Sequence, residues 1–164
     1  MMTHSRALPL HSLHVLKWDL GLPGTIHQTL VPQYPNTFQF LNCPNSVVSL
    51  KLTRWPEELT FSALQWSNEG GTHYQEFKRG QSALAFPMKF LWGYGAQKKV
   101  RAWLEEFQKL PYLSLYFDSS KIHPNSDLME KRVVGVLHEL LSLTLHKKTK
   151  RNYLRGLRDE LNLP

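Results

Sequence analysis

The chain has 164 residues, enough for one domain with a sizeable core. Lys and Arg outnumber Asp and Glu by 20 to 13, and the formal net charge of +7 favours acidic partners, either nucleic acid or an anionic membrane surface. No stretch approaches the ~20 uncharged apolar residues of a membrane span, and a membrane is not among the expected partners. A single cysteine, Cys43, excludes a disulfide framework and a cysteine-based zinc site.

Residues 1–14 hold no acid and one arginine, Arg6. They have neither the Arg-rich character of a transit peptide nor the apolar centre of a secretory signal. Residues 8–20 read as a helix, with Leu13, Leu16 and Leu20 on one face and Pro9 in the first turn. Gly21 suits a helix C-terminus and Pro23 a new start. A second short helix is expected over 24–31, with Ile26, Leu30 and Val31 inward and Pro32 and Pro35 ending it. Phe38 and Phe40 alternate around Gln39, and after a turn at 42–46, Val48, Leu50 and Leu52 alternate with polar residues. Two helices and a hairpin make residues 16–54 a winged-helix-like unit.

A short helix is expected over 56–64, a polar loop over 68–82, and an ordered aromatic connection over 85–94. Residues 96–110 form an amphipathic helix in which Val100, Trp103, Leu104, Phe107 and Leu110 make the buried stripe. Asn125 or Ser126 caps a long helix over 127–146, whose first turn carries Asp127 and Glu130. That helix is apolar nearly all round, which predicts a central place in the core, and Gly135 would let another helix approach. Thr149 is the expected N-cap of a last helix that buries Tyr153, Leu154, Leu157 and Leu161. The fold class is therefore α+β and predominantly helical: a helix–turn–helix plus hairpin unit, followed by a helical bundle over 96–161.

One pattern occurs twice. Leu16-Lys17-Trp18-Asp19-Leu20-Gly21-Leu22-Pro23 is echoed by Leu157-Arg158-Asp159-Glu160-Leu161-Asn162-Leu163-Pro164, which suggests one structural unit used twice.

The cations cluster. Residues 140–158 contain no acid after Glu139, while Lys147, Lys148, Lys150, Arg151, Arg155 and Arg158 accumulate. Arg151, Arg155 and Arg158 fall at i, i+4 and i+7, one stripe of a helix. Lys and Arg hold phosphates, and arginine planes also stack on bases. Solvated helix faces usually mix signs, so an unmixed run points to an anionic partner. Lys98, Lys99 and Arg101 form a weaker cluster, offset by Glu105 and Glu106. Among the aromatics, Trp18, Trp55, Trp66, Trp92 and Trp103 could stack on single-stranded RNA; Trp66, Trp92 and Tyr94 are the better candidates for exposed stacking, whereas Trp103, Tyr34, Phe38 and Phe40 are expected in the core.

Catalytic signals are weak. His138-Glu139 begins like a zinc-protease helix, but Ser142 stands where the second histidine must be. His11 and His14 have no obvious third ligand, and Cys43 has no evident base. Neither a metal nor another cofactor is expected, and the chain does not read as an enzyme.

The chain resembles the plant organelle RNA recognition domain family. The resemblance rests on residues 15–23, on Tyr34-Pro35 with Phe38, on Lys109-Leu110-Pro111-Tyr112, and on the long run from Glu130 to Thr144. It implies an RNA-binding protein of mitochondria or chloroplasts, with the mitochondrion favoured, that binds group II intron RNA and supports its splicing alongside other splicing factors. It brings no cofactor and no catalytic residue. Residues 1–164 are expected to form a single, partial RNA-recognition domain, with family sequence normally extending at both ends. The alternative is a structural or protein-interaction role without RNA binding.

Overall fold

The computed structural model describes residues 2–3, 5–42, 47–54, 57–68, 84–86, 98–116 and 119–164. These form a three-stranded antiparallel sheet and six α-helices, which agrees with the expected α+β, mainly helical class. The chain enters through strand β1 (Ala7–Pro9), turns directly into α1 (Leu10–Leu16), and continues through α2 (Ile26–Gln33) into the hairpin of β2 (Phe38–Asn42) and β3 (Val48–Leu52). The sheet order is β1-β3-β2, with Leu8 opposite Leu50 and Phe40 opposite Leu50 from the other side.

The helix–helix–hairpin unit is thus present, with one strand more than its sequence suggested. Residues 8 and 9 are strand, not helix. Pro9 lacks an N–H, and β1 is an edge strand, where that loss is tolerated. Pro32 does not stop α2 but sits inside its last turn, and Tyr34 closes the helix with its N–H on the Val31 carbonyl. The predicted turn at 42–46 lies almost wholly outside the described residues, as do the predicted loop over 68–82, apart from Asn68, and most of the connection over 85–94.

The predicted helix over 56–64 resolves into a 3-10 turn (Glu57–Thr60) and α3 (Ala63–Asn68). A capping box starts α3. Ser62 Oγ accepts from the Gln65 N–H at 3.3 Å, and Gln65 Oε1 accepts from the Ser62 N–H at 2.8 Å. Then follow α4 (Lys98–Lys109), a 3-10 turn (Ser119–Lys121), α5 (Asp127–Leu143) and α6 (Arg151–Gly156). Ser126 caps α5 as expected, accepting from the Met129 N–H.

Two apolar clusters hold these elements. In one, Leu16 of α1 meets Leu115, Val136 of α5, Leu157 and Leu161, with Leu8, Leu20 and Tyr153 packed around them. In the other, Leu64 of α3 and Phe107 of α4 meet Leu84 and Phe86. Burying each such side chain contributes about 1.5–3 kcal/mol. Trp103 is not part of the second cluster. It is 57% exposed and stacks on the outer side of Phe107, with 5.3 Å between rings. Only Leu104 and Phe107 of the α4 stripe are fully buried, so that stripe is narrower than its periodicity implied.

α5 touches both clusters, but not as an all-apolar rod. Val134 and Leu143 are exposed, whereas Lys131, Arg132 and Glu139 are buried. Each buried charge meets backbone. The Lys131 ammonium donates to the carbonyls of Gln108 and Leu110 at the end of α4. The Arg132 guanidinium points both Nη atoms at the Leu161 carbonyl, at 3.4 and 3.5 Å. Glu139 Oε2 accepts from the Ala63 N–H, at the start of α3, at 2.7 Å. Gly135 admits no helix; it admits Leu115, whose Cδ2 would stand 2.7 Å from an added Cβ.

The repeated pattern is a repeated conformation. After α1, Leu20 N–H bonds to Leu16 O, Gly21 N–H to Trp18 O and Leu22 N–H to Lys17 O. After α6, Leu161 N–H bonds to Leu157 O, Asn162 N–H to Asp159 O and Leu163 N–H to Arg158 O. Both are Schellman ends whose C′ residue is left-handed, with φ 65° at Gly21 and φ 50° at Asn162. The corners differ in how they are docked. Asp19 accepts hydrogen bonds from residues 145 and 149, while Glu160, in the matching place, keeps a buried Oε2 without a hydrogen-bond partner among the described residues.

Two outcomes follow from this packing. Gly21→Ala forces a left-handed alanine against the Leu145 side chain, 3.2 Å from the new Cβ, and should cost about 1–2 kcal/mol in denaturant unfolding. Gly21→Asn should cost less, since asparagine already holds this conformation at the second corner. Burial also pushes the Lys131 ammonium down to about 8, from an ordinary value of 10.5. Between those values the folded chain binds fewer protons than the unfolded chain, so this group's contribution to stability rises with pH. From about pH 7.5 to about 9.5, the Tm of the parent chain should rise relative to that of Lys131→Met. Parallel curves would show that Lys131 keeps an ordinary pKa.

Candidate nucleic-acid interface

The basic run begins where α5 ends. Thr144 closes that helix with its N–H on the Leu141 carbonyl, and the chain turns through residues 145–149 before α6. Lys147 takes φ 52° in this turn, a conformation uncommon for a side chain of its kind. The turn is pinned at both ends to one residue of the first corner. The Leu145 N–H donates to the Asp19 carbonyl at 2.8 Å, and the Thr149 hydroxyl donates to Asp19 Oδ2 at 2.6 Å. Thr149 is therefore an anchor and not the N-cap expected of it. Lys150 holds the N-cap position and caps with no side-chain hydrogen bond.

α6 follows with its cations outward. Arg151 and Arg155 are exposed on the helix, and Arg158 is exposed in the turn after it. Leu157 and Leu161 are buried beneath, and α6 packs against α1. Lys150 Nζ lies 5.5 Å from the centre of the Tyr153 ring. Lys147 and Lys148 are exposed in the pinned turn. None of Lys147, Lys148, Lys150, Arg151, Arg155 and Arg158 pairs with a carboxylate among the described residues. The nearest acid before the run in sequence, Glu139, is buried on the α3 backbone, and Asp19 is bound to Thr149. Six cations thus share one short, anchored segment.

Lys98, Lys99 and Arg101 are also exposed, on the first half of α4. Apolar residues of α4 belong to the Leu64–Phe107 cluster, and those of α6 belong to the Leu16–Leu161 cluster. The α4 surface is mixed in sign. Glu105 and Glu106 are exposed on it, and Glu106 forms a 2.7 Å ion pair with Lys109.

Of the proposed stacking aromatics, Trp66 is exposed, edge-on to Phe61, whereas Trp92 and Tyr94 lie outside the described residues. Tyr34, expected in the core, is 52% exposed. The most exposed of the described tryptophans is one the sequence names for stacking without ranking it among the better candidates. Trp18 is 73% exposed, carries Lys17 Nζ 4.9 Å from its ring centre, and is the neighbour of Asp19, to which the basic turn is tied. Its place one residue past the last turn of α1, off the Leu16 and Leu20 face, was the available signal.

The protease-like residues are structural. Glu139 is buried at the start of α3, and the His138 ring meets Phe86 edge-on at 5.7 Å. No group of three His, Cys, Asp or Glu suited to a metal occurs among the described residues, and none of their helices is long and apolar enough to cross a membrane.

Curated proteins are similar to this sequence over nearly its whole length. The family profile of the plant organelle RNA recognition domain matches residues 1–164. Protein WHAT'S THIS FACTOR 9, mitochondrial, of Arabidopsis thaliana is 35% identical across the whole chain, which spans 42% of that protein. Protein WHAT'S THIS FACTOR 1, chloroplastic, of Zea mays is 31% identical over 98% of the chain and 33% of its own length. Protein ROOT PRIMORDIUM DEFECTIVE 1 of Arabidopsis thaliana is 25% identical over the whole chain and 41% of its own length. The chain therefore spans under half the length of these relatives. No solved structure matches it. The profile covers the two repeated corners, the capped α5 and the basic segment alike, and on that match the chain belongs to the plant organelle RNA recognition domain family.

Proposed function

We propose that residues 1–164 act as one non-catalytic RNA-recognition unit, which holds single-stranded parts of a group II intron in a plant organelle and so supports its splicing. The observation that carries this reading is the anchored segment from Lys147 to Arg158, whose six exposed cations have no carboxylate among them. Family membership supplies the class of ligand, and the relatives' names supply the organelle. The 35% identity to a protein named as mitochondrial favours that compartment over the chloroplast.

The binding physics is counterion release. Each phosphate neutralised by Lys or Arg frees condensed cations from the RNA, so affinity falls with salt by about 0.7 log units per contact per log unit of salt. Lys147 and Lys148 in the turn, with Lys150, Arg151, Arg155 and Arg158 around α6, would follow one stretch of backbone. Lys98, Lys99 and Arg101 would be a second, weaker contact on another face. The intron RNA would supply the splicing chemistry itself, and the protein would stabilise its folded form.

Replacing Arg151, Arg155 and Arg158 together by alanine should flatten the slope of log affinity against log salt by about two units on single-stranded intron RNA. All three are exposed, so the melting curve should be unchanged. An unchanged slope would remove this surface from the model of binding. In organelles, crosslinking of the tagged protein and sequencing of bound RNA should enrich intron sequence. Recovery of splicing proteins without RNA would favour a protein-interaction role instead.

A further inference from the structure

α1 and α6 meet through Leu16 and Leu157, and above that contact lies a groove of about 230 Å³. His11, Ser12 and Val15 of α1 form one wall, and Asn152 and Tyr153 of α6 form the other. Gly156 also lines it, and a Cβ added there would meet nothing within 4 Å. No carboxylate of the described residues lines the groove. Arg151 and Arg155 flank it in sequence, both exposed, and the Lys150 ammonium stands near the Tyr153 ring.

We propose that this groove takes one unpaired nucleobase of the RNA whose phosphates lie on Arg151 and Arg155; the proposal rests on the RNA-binding reading above. A nucleobase has an apolar planar face and a polar rim. The groove offers the Tyr153 ring and the apolar sides of Val15 and Leu157 for the face, with the Asn152 amide, the Ser12 hydroxyl and the His11 imidazole for the rim. Its volume falls below the ~300–1,000 Å³ of pockets for drug-sized ligands, which suits one ring system. The exposed Arg151 and Arg155, which flank Asn152 and Gly156 in sequence, favour a polyanion over an apolar peptide side chain. A base inside a duplex is stacked and cannot reach it, so the groove selects single strands.

Gly156 provides the test. Gly156→Leu puts a side chain into open space at the groove, changes no charge, and replaces glycine with a better helix former, so the fold should melt at or above the parent temperature. Affinity for a single-stranded oligoribonucleotide should fall about 5- to 150-fold, the loss of one stacked base, while the salt slope stays constant. An oligomer with abasic sites throughout should bind the parent and the variant equally. Tyr153→Phe, which keeps the ring, should retain single-strand binding.

Equal single-strand affinity of Gly156→Leu and the parent would overturn the groove and leave the RNA-binding reading standing. A parent chain that binds no RNA at low salt would overturn both. Loss of a bound protein partner in Gly156→Leu, with RNA affinity intact, would assign the groove to protein and overturn the proposal.

Discussion

Lys131, Arg132 and Glu139 sit inside the protein, on one helix, each against the backbone of a different element. Helix ends leave unsatisfied groups, carbonyls at the C-terminus and N–H groups at the N-terminus, and a buried end without partners costs about 1–3 kcal/mol per group. α5 supplies the matching charge at each place. A cation meets the carbonyls that end α4, and an anion meets an N–H that starts α3. A second cation faces the carbonyl of Leu161 in the corner after α6. The signs follow the helix dipole at both helix ends. Desolvating such charges is expensive, and the direction of the Lys131 pKa reports that cost. What the arrangement provides is position. The three contacts tie α3, α4 and the last corner to α5.

That constraint explains what the sequence revealed and what it hid. The two corners were readable as a repeat because a Schellman end is local, needing spaced leucines and a residue that accepts a left-handed φ within eight positions. The Ser126 cap and the β2–β3 hairpin were readable for the same reason. β1 was not, because three residues are too few for an alternating pattern and their partner strand comes much later in the chain. The role of α5 was misread in an instructive way. Leucine and valine around its whole circumference suggested a rod in oil, yet Val134 and Leu143 face outward. Periodicity records which residues are apolar, but not which charged residues will find backbone ends. That pairing exists only after the other elements have packed.

Thr149 shows the same limit at the interface. As a hydroxyl residue just before a helix, it looked like a cap. Its hydroxyl instead reaches Asp19, at the other end of the chain. The basic residues themselves were legible because charge composition survives any fold. What lies beneath them was not, since only the folded chain shows α4 packing with Leu64 and Phe86, and Leu157 packing with Leu16.

The first corner and the basic segment can therefore be understood as one device. Leu145 and Thr149 fix the turn to Asp19, and Leu157 and Leu161 fix the far end of the segment in the core, where Arg132 faces the last of them. Six like charges held on a short segment repel one another, and a loose segment would spread them into solvent. Pinning both ends keeps the repulsion in place, so the folded chain holds an electrostatic cost that a polyanion relieves on binding. Charge alone reads no sequence, because phosphates are the same along every strand. Discrimination requires contact with bases, and the features placed beside the cations are suited to that contact: an exposed Trp18 next to Asp19, and the groove between α1 and α6. On the proposed reading, the segment's anchorage would matter twice, since it would concentrate charge and also fix where the bases of a bound strand fall.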